Sequence, residues 1–249
     1  MAIDVEVKDR VAEVIIDAPP VNALTNAGWR EFADKMQAVG QRDDVNCVVI
    51  RAQGRGFQAG VDIKELAAHG ELITEVNRGC YDTFAAIYDC PVPVISAVHG
   101  YCIGGGIAIA GASDFVIASE DATFQLPEID RGALGAATHL MRLVGVQKAR
   151  RMLYTCESIT AQELYQAGGC ESVVPKDRLY DEVMQVARAI AAKSAKALRL
   201  AKWSANGIET LDVKKSYRFE QGFTLELYTA PDSQESRDAF VEKREAQFD

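Results

Sequence analysis

Two glycine loops are the first places in this 249-residue chain where backbone chemistry is on offer. One is Gly54-Arg55-Gly56-Phe57-Gln58-Ala59-Gly60-Val61-Asp62-Ile63-Lys64-Glu65; the other contains Gly104-Gly105-Gly106. Each follows an apolar, strand-like run and leads into a helical one. At a helix start the first N–H groups have no intrahelical acceptor and the dipole is positive, so an anion is welcome. If one N–H from each loop converges on one oxygen, the pair forms an oxyanion hole, suited to a thioester carbonyl that becomes an enolate or a tetrahedral alkoxide. Tight packing of helix on sheet is the competing reading of the triplet. A nucleotide phosphate is a weaker one, because no Gly-Lys-Ser/Thr follows and Gly-x-Gly-x-x-Gly spacing is absent.

Other chemistries find less support. The three histidines (His69, His99, His139) and six cysteines (Cys47, Cys80, Cys90, Cys102, Cys156, Cys170) form neither Cys-x-x-Cys nor His-Glu-x-x-His, so a metal site is not expected. With no secretory leader in view, scattered cysteines read as reduced and mostly buried, and a cytoplasmic location is the expectation. The 36 acidic against 27 basic residues give a net charge of −9, which argues against nucleic acid as the main partner. Charge is unevenly spread. None occurs from Cys90 to Ser113, where average usage would place roughly six such residues. That stretch is long enough to cross a membrane, but Pro91, Pro93, Gly100, the glycine triplet and Gly111 break any single helix. A buried strand, a turn and a buried helix fit it better.

The elements that must carry these loops follow from periodicity. Val5 and Val7, then Val11, Val14 and Ile16, read as a hairpin around Lys8-Asp9-Arg10. Thr25 starts an amphipathic helix through Trp29, Phe32, Met36 and Val39. Residues 47–50, 94–98 and 115–118 are buried strands, separated by helical patterns over 73–88 and 107–112. This alternation predicts a parallel α/β core. After about Ala136 the pattern is helical (136–154, 161–167, 178–193, 195–205 and 213–228), with a lone strand at Ser172-Val173-Val174.

Three segments now resemble the signature stretches of the crotonase (enoyl-CoA hydratase/isomerase) superfamily: Ala59 to Glu65, Gly100 to Gly106, and Phe124-Gln125-Leu126-Pro127-Glu128-Ile129. Asn22-Ala23-Leu24 and Ala239 to Arg244 match as well. The resemblance implies an α/β spiral of ββα repeats over residues 1–190 and a helical trimerisation subdomain over 191–249. It also implies an acyl-CoA ligand and a homotrimer or dimer of trimers, with no cofactor beyond the coenzyme A of the substrate. Carried over by position, Val61 and Gly105 become the oxyanion donors. Ala59, Val61, Asp62, Ile63 and Gly105 line the acyl-CoA site, and Lys243 or Arg244 of a neighbouring subunit meets the CoA phosphates.

The pattern also breaks. Hydratases of this family hold water between two glutamates, and only Glu128 matches; the other position is Ala108, and a third acidic position of other branches is Ala136. One carboxylate must then do the proton work of two. Outside the family context Glu128 reads as a solvated cap. Arg131 is either a clamp for a ketone or carboxylate or an ion-pair partner of Asp130, Glu128 or another subunit. His139 is either a general base or donor, or a core histidine. Asn77 to Cys80, Glu128 to His139 and Tyr217 to Leu227 resemble the branch that hydrolytically opens the ketone ring of a bicyclic steroid remnant carried on coenzyme A. Hydration and double-bond isomerisation are the alternatives. A non-enzymatic acyl-CoA binder or RNA-binding relative, resting on Lys214, Lys215 and Arg218, is the reading from another class.

Overall fold

A computed structural model describes residues 2–209 and 213–246, apart from the side chains of Ile208, Glu220, Phe223, Leu227 and Asp232. The Glu220, Phe223 and Leu227 positions of the 217–227 resemblance therefore lie outside the described side chains.

The larger sheet has the spatial order β1 (Ile3–Lys8), β2 (Val11–Ile16), β3 (Cys47–Ala52), β4 (Val94–Val98), β6 (Phe115–Ser119) and β9 (Ser172–Val174). Only the β1–β2 hairpin is antiparallel; every later pairing in this sheet is parallel. A smaller sheet is made by β5 (Tyr101–Ile103), β7 (Thr123–Gln125) and β8 (Ser158–Thr160). Strand β8 is not anticipated from the sequence. Its three residues carry no period of their own, and antiparallel pairing with β7 makes it a strand.

The charge-free run becomes β4, β5 and α4 (Gly105–Ala112), in which seven of eight helical residues are buried. The order is strand in the large sheet, strand in the small sheet, then helix. It recurs in β6, β7 and α5 (Ala137–Thr155), and β3 is followed likewise by Gln58, which bridges to Cys102 of β5, before α2 (Ile63–Ala68) and α3 (Ile73–Tyr88). These are the ββα repeats that the resemblance implied.

Strand side chains alternate between faces, and both faces are covered. Val48 and Ile50 of β3 join one core with Trp29, Phe32 and Met36 of α1 (Asn26–Gly40), whose first turn is capped by the Thr25 side chain. Cys47 and Val49 face the opposite way, where Val183, Met184 and Ala187 of α7 (Leu179–Ala191) seal a second core. Burial of each large side chain contributes roughly 1.5–3 kcal/mol, so the glycine loops hang from a rigid frame.

Helix α6 (Ala161–Gln166) follows β8, and α8 (Ala195–Ile208), α9 (Val213–Tyr228) and α10 (Pro231–Glu242) complete the chain. Helix α9 packs on α3 and α5, and α10 packs on α2 and on the turn holding Arg131. These helices thus fold back over their own chain's core. All six cysteines are free and buried. No helix among the described residues is long and apolar enough to cross a membrane.

Candidate active site

The two glycine loops meet. A Cβ placed on Gly60 would lie 3.4 Å from the Gly105 nitrogen. The loop before α2 is held on both sides. Gln58 is fully buried, donates from Nε2 to the Gly60 carbonyl at 2.8 Å, and accepts the Gly60 N–H at 2.7 Å. Leu24 donates to the Gly60 carbonyl and accepts from Asp62 N–H, so the Val61 N–H between them is turned to the other side. Asn22 fixes the earlier part of the same loop by donating to the carbonyls of Gln53 and Gly56. Gly105 is the first residue of α4, and its N–H has no acceptor one turn back. Among the described residues neither the Val61 nor the Gly105 N–H meets an acceptor. The two nominated N–H groups thus belong to loops in contact, and each is left without an acceptor among the described residues, the condition an oxyanion hole needs.

Glu128 is the acid beside it. Gly104 holds φ +57°, a left-handed conformation, and a Cβ there would stand 2.6 Å from Glu128 Oε1. The carboxylate thus rests against the bare Cα next to the oxyanion donor. Its own backbone is pinned where its carbonyl accepts from the N–H groups of Arg131 and Ala133.

A cavity of about 290 Å³ opens from this point. Ala59, Val61, Ile63, Gly105, Glu128 and Arg131 all line it. Ala108 and Ala136 line it too, so both positions at which relatives of the resembled family carry a second acid are methyl groups on the cavity wall. Cys80 lines it as well, but burial pushes its thiol pKa well up and leaves it a poor nucleophile. Among the described residues no group of three or more His, Cys, Asp or Glu is placed to hold a metal ion.

Two nominated residues, His139 and Asp62, do not line the cavity. His139 is fully buried in α5, packed edge-on against Phe84 and Tyr217, which stand between it and the space. Burial and nearby Arg142 pull its pKa down to about 3, so the ring is neutral. A general base needs reach as well as basicity, and His139 has neither. Asp62 caps α2, accepting from Lys64 N–H at 2.9 Å, rather than facing a ligand. Lys243, nominated for the site of a neighbouring subunit, is exposed at the left-handed C-cap of α10, and Arg244 is bound to Glu235 and Glu242.

Arg131 lines the cavity and makes no salt bridge among the described residues. Its guanidinium lies 3.7 Å from the Phe240 ring centroid. Burial pulls its pKa below the usual arginine range, opposed by Asp130 and Glu128.

Residues 6–249 match the sequence profile of enoyl-CoA hydratase/isomerase. The chain belongs to that family. Among curated relatives, a (7aS)-7a-methyl-1,5-dioxo-2,3,5,6,7,7a-hexahydro-1H-indene-carboxyl-CoA hydrolase of Rhodococcus jostii is 51% identical over 237 residues, 94% of this chain and 92% of the relative. A Mycobacterium tuberculosis protein of the same name is 48% identical over 235 residues, 94% of this chain and 95% of the relative. Among solved structures, an enoyl-CoA hydratase/isomerase from Xanthobacter autotrophicus superposes with a TM-score of 0.90 at 26% identity, covering 97% of this chain and 93% of the other.

Seen as a hydratase/isomerase family site, the cavity and the loop that supports it use residues that the sequence reading did not nominate. Gln58 lay inside the quoted loop, two residues before Gly60, and an amide at that spacing is the signal that would have found it. Tyr217, Thr224 and Tyr228 of α9 and Arg237 and Phe240 of α10 form the far wall. Arg237 and Phe240 are three apart on one helix face, but no local pattern says which cavity that face covers.

Proposed function

We propose that this enzyme opens the ketone ring of a fused bicyclic diketo acyl-CoA by adding water, the reaction for which its 51% and 48% identical relatives are named. One observation carries the reading. Glu128 stands alone at the oxyanion pair, with Ala108 and Ala136 where a hydratase family member would hold a second acid.

The chemistry follows from these residues. Val61 and Gly105 N–H groups hold the thioester oxygen. Glu128 takes a proton from water as the hydroxide adds to the ketone carbon of the five-membered ring, forming a C–O bond and a tetrahedral alkoxide. The alkoxide re-forms its C=O, and the carbon–carbon bond to the neighbouring ring-fusion carbon breaks. That bond's electron pair passes through the conjugated ring to the thioester oxygen, giving an enolate that the two N–H groups stabilise. Glu128 then returns its proton to carbon. One water is consumed, and a carboxylic acid and a C–H bond are formed. Removing one oxyanion donor in comparable sites costs about 3–4 kcal/mol, so the hole supplies a large share of the rate. Coenzyme A enters as part of the substrate, and the reaction draws on no further cofactor.

The same reading includes a cytoplasmic homotrimer or dimer of trimers. Leu200 and Trp203 of α8 and Phe219 of α9 are exposed apolar side chains that self-association would cover, and light scattering would report the copy number.

The test is product analysis in oxygen-18 water with the bicyclic diketo acyl-CoA. Hydrolysis puts the label in a new carboxylate, whereas double-bond isomerisation incorporates none. Efficient hydration of crotonyl-CoA with the bicyclic thioester left untouched would overturn the proposal.

A further inference from the structure

Arg237 is a buried cation without a counter-ion among the described residues. It is 5% exposed, yet none of the described residues offers it a carboxylate within ion-pair distance. Its guanidinium lies 3.8 Å from the Tyr228 ring centroid. Nη1 donates to Ser233 Oγ, and Nη2 donates to Gln234 Oε1 at 2.6 Å. Those contacts orient the group and leave N–H donors unused, since a guanidinium has five. Neutral acceptors and an aromatic face do not balance a desolvated charge. A protein that buries one normally pairs it.

Arg131, on the facing turn, is half-buried and makes no salt bridge among the described residues, although the charges of Asp130 and Glu128 act on it. The two are tied by one serine: Ser233 Oγ accepts from Arg237 and donates to the carbonyl of Gly132, the residue after Arg131. Gly132, at φ +65°, leaves room for Ser233 to pack directly on it. Phe240, which carries Arg131, lies one turn beyond Arg237 on α10, and both arginines line the cavity that holds Glu128. Two positive groups thus line the cavity together with Glu128, whose carboxylate rests against Gly104.

We propose that Arg131 and Arg237 form an anion subsite that receives the carboxylate created by ring opening. The inference rests on the hydrolase reading for the identity of that anion. The ketone carbon that water attacks becomes first an alkoxide and then a carboxylate, several bonds from the thioester held at Val61 and Gly105. Planar guanidinium forks match a carboxylate at two points, which suits them to this anion. The subsite then favours cleavage, because its ligand acquires full negative charge only as the reaction completes.

The experiment is direct binding of two chemically prepared probes, the ring-opened acid as its CoA thioester and the methyl ester of its free carboxylate. Wild-type protein is expected to bind the acid at least about ten-fold more tightly than the ester, and the ratio to fall below about two in Arg237→Gln and in Arg131→Gln. The acid-to-ester ratio within each variant cancels any general change in the cavity wall, and an unfolding midpoint near that of wild type shows that the variants fold. Arg237→Lys should keep part of the ratio. Equal binding of acid and ester by wild-type protein, or an undiminished ratio in both Gln variants, would overturn the subsite. Conversion of the bicyclic substrate is measured separately, so acid discrimination without ring opening would sink the hydrolase reading and leave the subsite standing.

Discussion

Glu128 Oε1 occupies the space in which any residue but glycine at position 104 would carry its Cβ, 2.6 Å from that point. The acid and the glycine triplet are therefore one device. Gly104→Ala is expected to displace the carboxylate and lower kcat by about 10- to 100-fold. The φ of +57° adds a backbone cost of roughly 1–2 kcal/mol. Steady-state kinetics and denaturant unfolding on the same sample separate the two effects.

Removing the charge while keeping the shape tests Glu128 itself. Glu128→Gln should reduce turnover by about 10²- to 10⁴-fold, the usual worth of a general acid–base group, while acyl-CoA affinity stays within about two-fold. Calorimetric binding beside single-turnover rates checks both halves, and near wild-type turnover would remove Glu128 from the mechanism.

Gln58 is expected to matter through the loop it clamps. Gln58→Leu removes both side-chain bonds to Gly60, leaving its carbonyl with Leu24 N–H alone and its N–H unmade, and a buried N–H left unmade costs about 1–3 kcal/mol. With Val61 less firmly held, kcat should fall more than KM rises. An equal change in both constants would mean that the amide serves only general stability.

His139 gives a pH prediction of definite sign. Its folded pKa is about 3, below the ordinary 6.5, so the unfolded chain binds the extra proton between those values. Stability from this group is fully present above about pH 6.5 and is lost as pH falls toward 3, by about 1.4 kcal/mol per pH unit. His139→Phe should flatten that slope. Because neither ring nitrogen has a hydrogen-bond partner among the described residues, the variant should also be at least as stable as wild type at pH 7. Its kcat at pH 7 should stay within about two-fold, since the ring does not reach the cavity. Unfolding midpoints at pH 5 and 7 for both proteins, together with one rate, test all three statements.

Much of the hole was legible because its signals are local. A buried strand, a glycine loop and a helix start are each written within a dozen residues, and the resemblance then picked Val61, Gly105 and Glu128 from them. The far wall was not legible in that way. Arg237, Tyr228 and Phe240 reach the cavity only because α9 and α10 double back onto α3, α2 and the Arg131 turn, a tertiary event without local trace. His139 shows the reverse failure: helical periodicity places it on an inward face of α5 but does not say that Phe84 and Tyr217 come between it and the cavity. Asp62 was read both as a ligand contact and as a helix start, and its bond to Lys64 N–H realises the second.

Ser233, Arg237 and Phe240 recur at intervals of four and three along α10, on the stripe that faces the Arg131 turn. The loops that carry Val61, Gly105 and Glu128 and the rest of the cavity wall are consequently written in distant parts of the chain, the latter largely on α3, α9 and α10. A residue of that wall can change while those loops stay in place. The wall is thus free to drift across evolutionary time while the chemistry stays as it is.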